Sequence, residues 1–153
     1  MLEAIPTNFV ASNFRLEQDS QLVGELDPSM WRCKATLELE EGTYNLYREK
    51  VFGGDYLLEH NGNVIARAEK VSVFRDKFAV QIGARVLEFK KLRWTTRKFG
   101  LFDGKQQVGG IYPRGIFTKR TSIDLPQEWP LANRVFMFWL ALLMWKRDSQ
   151  AAS

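Results

Sequence analysis

Residues 135–145 read Val-Phe-Met-Phe-Trp-Leu-Ala-Leu-Leu-Met-Trp, an apolar run without a break. A surface helix carries polar residues on one side. A helix here is apolar on every side, so it must be enclosed on every side, by lipid or by protein. The chain before it is patterned differently. It alternates at period two, or runs short and apolar between turn residues, as strands do. Phe78, Val80 and Ile82 fall on one strand face, and Leu87 and Phe89 share another. Glu40-Glu41-Gly42, Gly53-Gly54, His60-Asn61-Gly62-Asn63 and Asp103-Gly104-Lys105 are turn signals. Asn61-Gly62 between Tyr56-Leu57-Leu58 and Val64-Ile65-Ala66 predicts a tight hairpin. Eleven or twelve short strands precede the helix.

The length of the run separates lipid from protein. A helix over its eleven residues is about 16 Å long, against roughly 30 Å of bilayer core. Asn133 and Arg134 precede it, and Lys146, Arg147 and Asp148 follow it. A buried helix at about residues 130–147 is predicted, with no transmembrane span. Pro130 suits the first turn. Glu128 near the start and Lys146-Arg147 near the end suit the helix dipole.

A weak repeat runs through the strands. Phe14, Tyr56 and Phe99 open three similar hairpins, 42 and 43 positions apart. Trp31, Phe74 and Phe117 follow these openings at 17 or 18 positions. Either a supersecondary unit is repeated or hairpin grammar recurs. Three units are too few for a propeller. A sheet of about twelve mostly antiparallel strands can close on itself and lose its edges. About eight strands already fill their own interior, so a twelve-stranded lumen needs an occupant. The apolar helix supplies one, with Ala66, Ala68, Gly109 and Gly110 leaving room. The expected fold is one mainly-β domain over residues 1–153, a closed barrel around a buried C-terminal helix.

Composition adds three constraints. The 153 residues suffice for one core, and eleven Phe and five Trp make that core bulky. A single cysteine, Cys33, excludes an internal disulfide and reads as a small buried hydrophobe. Glu3 and the lack of an early apolar stretch argue against a secretory signal, so a cytoplasmic protein is expected. The net charge of +4 is uneven. Residues 1–60 hold 5 Lys/Arg and 11 Asp/Glu, and residues 61–153 hold 17 and 7. Such polarity suits an anionic partner, unless the two halves mix in space.

The hairpin Phe99–Gly109, the stretch Ile123-Asp124-Leu125-Pro126 before Trp129-Pro130-Leu131, and the run Phe136–Trp145 closed by Lys146-Arg147 together resemble the tubby C-terminal-like superfamily. That group joins tubby domains, phospholipid scramblases and LURP-one-related proteins. The resemblance implies a twelve-stranded barrel wrapped around the helix. Tubby-like domains bind phosphoinositide headgroups through a Lys-x-Arg pair on one strand, and Lys91-Leu92-Arg93 has that spacing. Scramblase-like proteins carry a cysteine-rich segment, a proline-rich region and an acidic calcium motif. One Cys, five Pro and no clustered acidic loop depart from that pattern, so scrambling is not implied.

The chemistry along the chain is sparse. Residues 85–98 hold six Lys/Arg against Glu88. If 91–97 is continuous strand, Lys91, Arg93, Thr95 and Arg97 share one face, with Leu92 and Trp94 inward. Lys91, Arg93 and Arg97 then form a candidate anion-binding stripe, the alternative being an ordinary solvated barrel face. Lys119-Arg120 is a smaller candidate whose side chains point apart. His60, the only histidine, is expected in a turn, without the oriented partner a catalytic base needs. There is no nucleophile elbow, Walker motif or GxGxxG. Gly53-Gly54 and Gly109-Gly110 read as bulges or turns, and Glu40-Glu41 as solvated. No catalytic residue, metal site or cofactor is expected.

The reading that results is a non-enzymatic binding module. It would dock on anionic phospholipid headgroups or another phosphorylated ligand through a basic outer face, peripheral at a membrane surface. The alternative is a structural or protein-interaction module. A hollow barrel carrying an apolar ligand would pack its helix outside, and single-strand nucleic-acid binders interleave exposed aromatics with their cations. Neither pattern is expected here, and no nucleic-acid partner is expected.

Overall fold

The computed structural model describes residues 1–7, 13–29, 33–50, 53–71, 76–115 and 120–151. Twelve strands precede one helix. They are β1 (Leu2–Pro6), β2 (Phe14–Gln18), β3 (Gln21–Ser29), β4 (Lys34–Leu39), β5 (Gly42–Arg48), β6 (Tyr56–His60), β7 (Asn63–Lys70), β8 (Lys77–Ile82), β9 (Arg85–Lys91), β10 (Phe99–Asp103), β11 (Gln106–Pro113) and β12 (Thr121–Asp124), followed by α1 (Leu131–Ala151). The strands form one closed antiparallel barrel in sequence order. Its seam is made by β1, which pairs with β2 on one side and with β12 on the other, Leu2 opposite Ile123.

Alternation sends one residue in two to the interior. Leu16, Leu37, Leu46, Leu58, Phe78, Val80, Phe89, Phe99, Leu101 and Ile111 are all fully buried. They surround α1, whose residues from Val135 to Ala141 are also fully buried. The helix is thus enclosed by protein on every side, and its aromatic side chains mesh with the wall. Phe138 meets Phe14 edge-on at 5.1 Å, and Trp139 meets Tyr56 edge-on at 5.9 Å. Among the described residues no helix is long and apolar enough to cross a membrane.

The threefold repeat is carried into the backbone. Register shifts fall between Leu16 and Glu17, between Leu58 and Glu59, and between Leu101 and Phe102, the same place in each hairpin. Each time one β-branched residue is the extra one: Val23, Ile65 and Val108. The next residue faces inward and is small: Gly24, Ala66, Gly109. A Cβ on Gly109 would lie 2.5 Å from the Asp124 carbonyl oxygen, so the bulge lets neighbouring backbone close over it. The aromatics Trp31, Phe74 and Phe117 lie outside the described residues.

Several details differ from expectation. The helix runs four residues past Arg147, so Lys146 and Arg147 sit one turn before its end. Pro130 lies just before it and accepts the first helical hydrogen bonds, from Asn133 and Arg134. Gly110 does not widen the lumen: it faces outward, and the Tyr112 ring folds over the space where a Cβ would stand. Cys33 is not buried. It is half-exposed with φ of 48°, just before β4. His60 ends β6 rather than standing in a turn; it stacks on Tyr44 at 4.1 Å with Nδ1 at 3.2 Å from the Thr43 carbonyl.

Candidate functional site

The up-and-down order gives the barrel two unlike ends. One end, the base, carries the tight turns at 19–20, 40–41, 61–62, 83–84 and 104–105. The other end, the rim, carries the longer connections and the C-terminal end of α1. Charge divides along the same axis. Asp19, Glu40, Glu41, Glu59 and Asp103 stand at the base, opposed by Arg85 and Lys105. Arg48, Lys70, Arg93, Arg97, Lys98 and Arg114 stand at the rim, with Lys146 and Arg147 from the helix. The rim also carries Glu49, Asp55, Asp76 and Asp148, each ion-paired with a cation there.

The expected basic stripe is not a strand face. β9 ends at Lys91, and residues 92–98 form a loop. Leu92 N–H donates to the Lys98 carbonyl at 2.9 Å, and Thr96 N–H to the Arg93 carbonyl at 3.1 Å, which folds the segment back on itself. The three candidates therefore part company. Lys91 is mostly buried, and its Nζ lies 2.9 Å from Asp148 and 3.5 Å from Asp76. It clamps the helix to the wall and is already neutralised. The Arg97 guanidinium lies over the Trp145 ring, 4.9 Å from its centroid, and its carbonyl accepts the indole N–H at 2.8 Å. Arg93 is exposed and pairs with no described residue. Trp94, expected inside, is 91% exposed at the loop tip. The loop thus presents an indole among Arg93, Arg97 and Lys98. Lys119 lies outside the described residues, and Arg120 pairs with Glu3 at 2.8 Å.

Across the rim lies a group that the sequence did not single out. The last turns of α1 lean toward β8–β10. Asp148 bonds Lys91, Trp145 bonds the Arg97 carbonyl, and Arg147 pairs with Asp76. A recess of about 620 Å³ is left on the opposite side, against β4–β6. Cys33, Arg48, Tyr56, Leu143, Met144, Lys146, Arg147 and Gln150 line it. Arg48 lies over the Tyr56 ring at 5.2 Å, and its buried Nε has no hydrogen-bond partner. Burial, then repulsion from Arg147, pulls the nearby Lys70 ammonium below its ordinary value. Burial pushes the Tyr56 hydroxyl up, so it stays protonated. The signal was present in the sequence as isolated basic residues at strand ends, but only closure brings residues 48, 70 and 147 together.

Among the described residues no group of His, Cys, Asp or Glu is arranged to hold a metal ion. What the rim offers is positive charge beside exposed and half-buried aromatic surface. Compared with family models, with curated proteins and with solved structures, the chain matches none.

Proposed function

We propose that the protein is a non-enzymatic binding module that docks its rim on an anionic phospholipid surface, peripherally. The observation that carries this reading is Trp94, exposed at the tip of a loop that also holds Arg93, Arg97 and Lys98. An indole with an apolar body and one polar N–H partitions to the headgroup layer. Cations near an anionic leaflet each contribute about 1 kcal/mol. An aromatic wedge ringed by cations combines both terms, and the acidic base favours facing away from the membrane. The resemblance to the tubby-like superfamily points to the same class of ligand.

Co-sedimentation with vesicles tests it. Binding to vesicles containing phosphatidylserine is expected at low salt, weakening as salt shortens the Debye length to about 8 Å. Trp94→Ala and Arg93→Gln are each expected to reduce it. Equal binding to purely zwitterionic vesicles would remove the electrostatic part. No binding to either, together with a stable protein partner retained by Arg93→Gln, would make this an interaction module instead.

A further inference from the structure

We infer that the recess between α1 and strands β4–β6 is a binding site for a phosphate-bearing ligand of small-molecule size, gripped by Arg48, Lys146 and Arg147. It is a separate site from the docking loop, and either can fail without the other.

Charge, partners and shape all point this way. None of the described residues lining the recess is acidic, while three are cationic. Arg48 and Lys146 form no ion pair with any described residue. Arg147 does, with Asp76 and Asp148, but it still borders the open space. A half-buried guanidinium with an unpartnered Nε is an incomplete arrangement, because a buried donor left unpaired costs free energy. Guanidinium groups match phosphate oxygens two at a time, and an ammonium adds a point charge. Stacking on Tyr56 fixes the orientation of Arg48 before any ligand arrives.

One term opposes an anion here. The C-terminal end of a helix carries roughly half a negative charge. Asp76 and Asp148 balance Arg147, but Lys146 from α1 and Arg48 from the wall pair with no described residue, and their two charges outweigh the helix end. The volume of about 620 Å³ lies within the usual range for small-molecule sites. Leu143, Met144 and the Tyr56 ring give the recess an apolar wall beside its cations, so a phosphate joined to a compact carbon body fits better than a bare ion.

Isothermal titration of the whole chain with sodium pyrophosphate at low salt tests the site. Saturable binding of one equivalent is expected. Arg48→Gln is expected to weaken it about tenfold or more, and Arg93→Gln, in the docking loop, to leave it unchanged. Cys33 gives a readout that needs no variant. It lines the recess and is the only cysteine, so its alkylation by iodoacetamide should slow when pyrophosphate is bound. The absence of both heat and Cys33 protection up to about 10 mM pyrophosphate would overturn the proposal. So would wild-type affinity in a folded Arg48→Gln protein. Vesicles containing phosphatidic acid then distinguish the source of the phosphate. Displacement by pyrophosphate identifies a lipid headgroup in the recess, and undiminished sedimentation of the pyrophosphate-loaded protein identifies a soluble ligand.

Discussion

Arg134 sits in the first turn of α1, half-buried, with one guanidinium nitrogen 3.4 Å from the Gln18 side-chain oxygen and a buried Nε that has no partner. No described carboxylate pairs with it, burial pulls it below its ordinary value, and the positive end of the helix dipole lies beside it. A desolvated cation without a counter-charge is a net cost. Arg134→Met keeps the stem and removes the charge, and is expected to raise stability by about 1 kcal/mol, read as a higher midpoint in urea. Glu88 shows the opposite balance. Its carboxylate lies 2.9 Å from Lys90 and 3.1 Å from Lys77, and the Lys90 hydrogen bond holds it below the ordinary carboxylate value. A depressed folded-state value contributes stability that is complete above the unfolded value and is lost as pH falls through the folded one. Glu88→Gln is therefore expected to destabilise slightly at pH 7, by no more than about 0.5 kcal/mol for so exposed a pair. The difference from wild type should close in acid, as denaturant melts at a series of pH values would show.

The helix and the hairpins were legible because their signals are local. An apolar run without polar interruption needs no knowledge of neighbours, nor does Asn61-Gly62, whose φ values of 52° and 80° make the tight turn its sequence announces. The loop 92–98 was not legible. Leu92, Trp94 and Thr96 alternate with Arg93 and Arg97 as a strand would, and neither Gly nor Pro marks the fold-back. Pairing was decided instead by the Lys98 and Arg93 carbonyls, and an indole that pattern alone would bury was turned outward. The helix also carries the most severe prediction. Leu140 is fully buried at the barrel axis, so Leu140→Asp places a charge where no partner stands. A loss of roughly 4 kcal/mol or more is expected, seen as failure to accumulate folded protein. A chain ending at residue 130 should not fold at all. A cooperatively melting 1–130 fragment would show that the barrel stands without its filling.

Taken whole, the molecule is a barrel with an acidic base and a basic rim. Arg48, Lys91 and Arg147 belong to β5, β9 and α1, and no spacing along the chain announces that they share an end. This polarity makes orientation a property of the entire surface as well as of one loop. If the rim faces an anionic membrane, reversing charge at the base with Glu40→Lys and Glu41→Lys should leave vesicle affinity within about twofold at 0.15 M salt, because those turns lie at the opposite end of the barrel, roughly two Debye lengths or more away. Neutralising Arg93, Arg97 and Lys98 together should abolish most of it. Equal losses in the two variants would mean that net charge, and not the rim, sets binding.

The seam at β1 has a consequence for how the chain reaches this state. Leu2 must find Ile123, and the wall must close around a helix that follows the last strand in sequence. A chain emerging from the ribosome therefore cannot complete its core until α1 has been made, however many hairpins form earlier. Until then it presents unpaired strand edges and an unfilled apolar face, the combination that invites aggregation. Contacts so distant along the chain also slow closure toward the millisecond-to-second range. The interval between hairpin formation and insertion of the helix is the period in which the chain is most exposed to aggregation.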